Sequence, residues 1–168
     1  GAKVSGAHYN PALTLALWMR GHLDRTDAIY YMVSQVVAGI VAALIGSYLL
    51  TCQGITDINP RSNGPLCALT GEFIGTFLLG YTIINTIAVR SHVGSVSHAL
   101  SGGFALAAGG YGFSALSGGA FNPAVAVALC TTGMASWGDC WLYFIGPLLG
   151  TAAAASVVTA SENATQTP

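Results

Sequence analysis

Long uncharged stretches alternate along the chain with short, polar, turn-rich connections. Residues 28–50 hold no Asp, Glu, Lys or Arg, and at 1.5 Å per helical residue they are long enough to cross a hydrocarbon core of about 30 Å. Residues 67–89 are nearly as apolar, with Glu72 as their one carboxylate, and residues 140–160 carry no charged side chain. Residues 98–113 are built from Gly, Ala, Ser and Leu, the small residues that lipid-embedded helices present where neighbours approach closely. Four membrane spans are expected at 28–50, 67–89, 98–113 and 140–160. Two further apolar stretches, 10–19 and 122–130, reach only half way across, and each begins Asn-Pro-Ala. Asn is a preferred N-cap and Pro suits the first helical position, so both read as short half-helices. The stretches Arg20–Asp27, Cys52–Leu66, Arg90–Ser97 and Thr131–Asp139 read as connections, and Ser161–Pro168 as a disordered tail.

The two half-length stretches are copies of each other. Ser5-Gly6-Ala7-His8-Tyr9-Asn10-Pro11-Ala12-Leu13-Thr14-Leu15-Ala16-Leu17 and Ser117 to Leu129, offset by 112, share seven identities in thirteen positions. Three full spans, an odd number, separate them, so the second copy enters the membrane from the opposite face. The chain is therefore expected to hold an inverted repeat with its two half-helices meeting at the midplane. Free helix starts expose unpaired N–H groups and partial positive charge, costly against lipid tails but useful around a water-filled lumen. Asn10 and Asn122 would each cap a helix through the side-chain oxygen and aim an NH2 donor at the passing solute, while the two positive helix ends repel cations and protons.

Composition removes the alternatives to a membrane. Hydrophobic residues make up 53% of the 168 and charged residues only 7%, against about 25% in soluble domains. The net charge of -1 offers no basic surface for nucleic acid. The fold class expected is an all-α membrane protein.

Ser5-Gly6-Ala7-His8-Tyr9-Asn10-Pro11-Ala12 and Ser117-Gly118-Gly119-Ala120-Phe121-Asn122-Pro123-Ala124 closely resemble the paired signature loops of the aquaporin, or major intrinsic protein, family. Glu72-Phe73-Ile74-Gly75-Thr76 looks like that family's fourth transmembrane helix, Gln35 sits where its third carries Gln, and Trp141 with Gly146-Pro147 looks like its sixth. The resemblance covers nearly the whole chain. It implies six spans plus two half-helices, of which the first two spans are missing here, so an N-terminally truncated piece of a longer product is expected. The implied function is a passive channel for water and small neutral solutes that excludes protons and ions. The implied setting is a homotetramer in lipid, in a plasma or vacuolar membrane, with no cofactor, no metal and no nucleic acid. Asn10, Pro11, Ala12, Asn122, Pro123 and Ala124 become the pore motif, and His8 and Glu72 the residues that brace its loops. For Glu72 the other reading is a proton relay, since an intramembrane acid is functional by default, and for His8 a titrating gate.

The selectivity filter carries over to Gly110, Gly119 and Val125, its fourth residue lying in the missing part. Most water-selective members place Arg at the position of Val125 and His at that of Gly110. Val at this place resembles vacuolar (tonoplast-type) members, which pass larger neutral solutes. Gly, Gly and Val leave a wider, less polar opening, so urea, ammonia and hydrogen peroxide become candidate cargo beside water. A register slip of one residue would put Tyr111 at the filter and narrow it again. The Arg-Asp that usually follows the second motif in glycerol-selective members is absent at Val125-Ala126, which disfavours the glycerol alternative.

The alternation of spans puts Lys3, Arg20, Arg25 and Arg90 on the cytoplasmic side and only Arg61 outside, as the positive-inside rule requires. The same alternation places Cys52, Cys67, Cys130 and Cys140 near the non-cytoplasmic face. A disulfide such as Cys52–Cys67 is one of three pairings there, and small lipid-tolerant thiols are the other account. His22, His92 and His98 show no metal-ligand spacing with the cysteines, and the acceptor motif Asn163-Ala164-Thr165 falls on the cytoplasmic tail, where glycosylation is not expected. No nucleophile arrangement, phosphate loop or paired carboxylate can be assembled, so no enzymatic activity is expected. A secondary transporter and a non-conducting junctional protein remain as alternatives, the first needing coupling groups beyond Glu72.

Overall fold

In both Asn-Pro-Ala segments the Asn holds an extended backbone, and its side-chain oxygen accepts from the backbone N–H two residues on, which starts a helix at the following Pro. The computed structural model describes residues 2–54, 64–88 and 96–166. These form α1 (Ala2–Ser5), α2 (Pro11–Met19), α3 (Arg25–Cys52), α4 (Pro65–Ala88), α5 (Val96–Ser117), α6 (Pro123–Thr131) and α7 (Leu142–Gln166), with a 3-10 turn at Trp137–Asp139. Among the described residues all regular structure is helical. Arg61, Arg90 and His92 lie outside them, as do the side chains of Lys3 and His98.

Two helix ends differ from the pattern-based expectation. Ser161–Gln166, expected to be a disordered tail, continues α7. Glu162, one turn from the end, pairs with Arg20, the C-cap of α2, whose other guanidinium nitrogen donates to Thr159 Oγ1 at 2.7 Å. That pair fastens the last turns of α7 to a neighbouring helix, so they do not fray. Helix α5 runs past the expected Phe113 to Ser117, where Gly118, at φ 90°, ends it and donates its N–H to Ser114 O at 2.7 Å. Among the described residues three helical segments, 25–52, 65–86 and 137–164, are long and apolar enough to cross a membrane.

The half-helices point in opposite directions along α7. The last residues of α2 reach Thr159 and Glu162 near the end of α7. Cys130, near the end of α6, packs with Cys140, Leu142 and Tyr143 at its start. Each half-helix of nine residues spans about 14 Å, roughly half the hydrocarbon thickness. Their N-termini meet between these ends, which is the inverted repeat.

Helix α4 is the central post, packed most extensively on α7 and then on α5. Its closeness to α7 depends on Gly146 and Gly150, four residues apart on one face of α7. A Cβ on Gly146 would come within 2.7 Å of Glu72 Cβ, and one on Gly150 would collide with the Phe73 carbonyl and lie 3.0 Å from Phe77 N. Backbone of a packed helix cannot yield as a flexible side chain does. Gly150→Val should therefore destabilise the fold by about 1–3 kcal/mol or more, read as a lower thermal denaturation midpoint in detergent. An unchanged midpoint would show that α4 and α7 can separate freely.

Candidate functional site at the meeting of the half-helices

The two signature loops repeat each other in backbone conformation as well as in sequence. Gly6 and Gly118 have φ of 73° and 90°, Ala7 and Gly119 of 54° and 71°, and Tyr9 and Phe121 of 40° and 46°. Left-handed backbone costs a non-glycine residue on the order of 1–3 kcal/mol and persists only where surroundings impose it. The imposing contacts are reciprocal. Asn10 Nδ2 donates to Phe121 O at 2.9 Å, and Asn122 Nδ2 donates to Tyr9 O at 3.0 Å, so each asparagine holds the strained carbonyl of the opposite loop. Each also caps its own helix, Oδ1 accepting from Ala12 N at 2.9 Å and from Ala124 N at 3.0 Å. One N–H of each amide is committed across the loops, and one remains.

Glu72 is fully buried in α4 and accepts three hydrogen bonds from the second loop. They come from Ser117 Oγ at 2.7 Å, Ala120 N at 2.9 Å and Phe121 N at 2.6 Å. Phe121 is pinned from its side-chain end too, since its ring lies against Gly75, where any Cβ would overlap it. In the first loop the repeat position of Ala120 is held by His8. Its Nδ1 lies 2.8 Å from Thr14 Oγ1 and 3.3 Å from Gln35 Nε2, and its ring is 5.0 Å from that of Tyr31. His8 Nε2 is buried and unpartnered.

Val125, in the first turn of α6, is 40% exposed. Gly119 packs against Ser114, where an added Cβ would meet Ser114 Cβ at 3.1 Å. Gly110 lies one turn before Ser114 on the same side of α5, with open space where its side chain would be. Tyr111 is 96% exposed. On α5 it is the neighbouring Gly109 whose added Cβ would meet the second loop, at 3.5 Å from Phe121 Cε2.

Residues 1–161 match the profile of the family described as Major intrinsic protein. The chain belongs to the major intrinsic protein family. Among its aquaporin relatives, "Probable aquaporin PIP-type pTOM75" of Solanum lycopersicum is 32% identical over 92% of this chain and 58% of its own length. "Aquaporin TIP4-2" of Zea mays is 34% identical over 89% of this chain and 58% of its own. "Aquaporin TIP1-1" of Arabidopsis thaliana is 31% identical over 89% of this chain and 60% of its own. This aquaporin-family chain thus spans less than two thirds of the length of these relatives. Its similarity to the PIP-type and TIP-named proteins is about equal, so overall identity does not reproduce the tonoplast-type likeness of the second loop. Family membership together with three apolar helices of spanning length makes it a multi-pass integral membrane protein.

Two members of the site escaped the sequence reading. Tyr143 OH donates to Ser117 O at 2.7 Å, extending the Glu72 cluster to α7. Thr14 Oγ1 lies within 3.0 Å of Asn10 O and 3.1 Å of Gln35 Nε2, joining the first loop to α3. A Thr inside an apolar half-helix and a Tyr at a span entrance were the available signals, but each fits lipid-exposed packing equally well.

Proposed function

We propose that, in the full-length protein, this chain forms most of the wall of a channel for passive flux of water and small neutral solutes, excluding protons and ions. The carrying observation is the reciprocal arrangement of Asn10 and Asn122. Each caps a half-helix, anchors the opposite loop and keeps one N–H. Two such donors beside two helix N-termini favour a neutral oxygen acceptor over any cation. Conduction, with no catalysis, is the activity.

Glu72 favours a channel over a secondary transporter. Its carboxylate is occupied by Ser117, Ala120 and Phe121, which supports the bracing role and leaves a coupling role without a free acid. At the filter, the lack of a side chain at Gly110 and Gly119 and the uncharged, short side chain of Val125 support a wide opening that admits urea, ammonia or hydrogen peroxide beside water. Exposed apolar side chains such as Tyr30, Val33, Val37, Phe104 and Leu106 would meet lipid, the channel's further helices or neighbouring copies of a homotetramer. The site would serve equally in a plasma or a vacuolar membrane.

Stopped-flow light scattering on vesicles holding the full-length protein tests the proposal. Water flux with a low activation energy and no ion dependence is expected. Ion-coupled flux would point to a transporter, and no flux to a structural protein. Val125→Arg should cut urea and peroxide permeation far more than water permeation, because a guanidinium fills the opening yet offers donors to water. A parent already closed to urea, ammonia and peroxide would overturn the wide-filter reading.

A further inference from the structure

The end of the fold opposite Arg20 and Glu162 holds two of the four cysteines. Cys130 lies in the last turn of α6 and Cys140 just before α7. Both are buried, at 3% and 9% exposure, in one cluster with Ala68, Ala126, Leu142 and Tyr143. The connection between them folds back on itself. Ala135 N donates to Leu129 O at 3.1 Å, Cys130 Sγ lies 3.6 Å from Ser136 O, and Cys140 N donates to Trp137 O at 3.3 Å. These turns keep both thiols in that one buried cluster. Cys52 and Cys67, the pair suggested by the loop between α3 and α4, are instead exposed, and all four are thiols in this structure.

A single buried thiol packs as a small hydrophobe, whereas two in one buried cluster, joined by a loop that folds back on itself, are candidates for a covalent link. We propose that Cys130 and Cys140 form a disulfide that fastens the far end of α6, the half-helix carrying Asn122 and Val125, to the start of α7. The membrane side suits this chemistry. Arg20 marks the opposite end as cytoplasmic by the positive-inside rule, which leaves the thiol end facing a compartment where disulfides persist.

The electron acceptor required is a small-molecule disulfide such as oxidised glutathione. The Cys140 thiolate attacks its S–S bond, forming a mixed disulfide and releasing one glutathione thiolate. The Cys130 thiolate then attacks the Cys140 sulfur and expels the second. The oxidant's S–S bond becomes two thiols, which take up the two cysteine protons, and one protein S–S bond forms. Because the folded pair is buried, exchange takes place before α6 docks on α7, or on local opening.

The test uses the chain with Cys52→Ser and Cys67→Ser, incubated in oxidised or reduced glutathione, then unfolded in the presence of an alkylating reagent and weighed by mass spectrometry. After reduced glutathione both remaining thiols should be alkylated. After oxidised glutathione neither should be, and the mass should be lower by the two thiol hydrogens. Alkylation of both, or recovery of two glutathione adducts, would overturn the proposal. If the double variant does not fold, the parent chain is oxidised and cut on the aromatic residues, including Trp137. A peptide linked from Cys130 to Cys140 is expected, and a Cys52–Cys67 link in its place would overturn the pairing.

Discussion

Glu72→Ala should destabilise the folded protein by several kcal/mol, on the order of 3–5, the largest stability loss expected from a single side chain here. The carboxylate lies fully buried and is the acceptor for Ser117 Oγ and for the N–H groups of Ala120 and Phe121. Removing it leaves three donors unpaired where water cannot replace it, and a buried donor without a partner costs about 1–3 kcal/mol. The damage should spread through Phe121, whose left-handed backbone is held on one side by Glu72 and on the other by Asn10. Glu72→Gln should fall between, because an amide keeps one accepting oxygen but turns an NH2 toward a backbone N–H. Thermal denaturation in detergent, with monodispersity as a second readout, checks the order parent, Gln, Ala. An Ala variant as stable as the parent would mean that the second loop keeps its shape without α4.

If the full-length protein is the channel proposed above, Asn122→Asp should raise its proton or cation leak while largely preserving the half-helix. An Asp keeps an oxygen for Ala124 N, so the cap survives. It loses the N–H given to Tyr9 O and places a carboxylate beside the meeting helix starts. A unit charge about 4 Å away is worth about 4 kcal/mol at an effective dielectric near 20, enough to raise cation occupancy well beyond tenfold. Proton and cation flux into dye-loaded vesicles, measured beside water flux on the same preparation, checks it. Unchanged ion exclusion with unchanged water flux would show that Asn122 does not face the conducting path.

The separation between local and long-range contacts explains which features were legible. Asn10 and Asn122 cap helices through bonds to residues two positions away, so Asn-Pro-Ala was sufficient to locate both half-helices. The inversion followed from counting spans between the copies, and Gln35 and Glu72 were marked by resemblance. The end of α7 was misread because a polar composition in Ser161–Gln166 says nothing about Arg20, which lies at the other end of the sequence.

By itself the sequence determined an all-helical membrane chain, two half-helices with capped starts, and an inverted order, because hydrophobic length, capping and span parity are local or countable properties. Only the tertiary structure decided where the second valences go. It sent one N–H of each motif Asn to the opposite loop, gave Glu72 its three donors, joined Tyr143 to Ser117 and buried Cys130 and Cys140, rather than Cys52 and Cys67, in one cluster. Most of those contacts connect distant parts of the chain, and even Cys130 and Cys140 meet only through the fold of the loop between them. Each is set by how α4, α6 and α7 pack, and packing at glycine-scale clearances is not written in any local pattern.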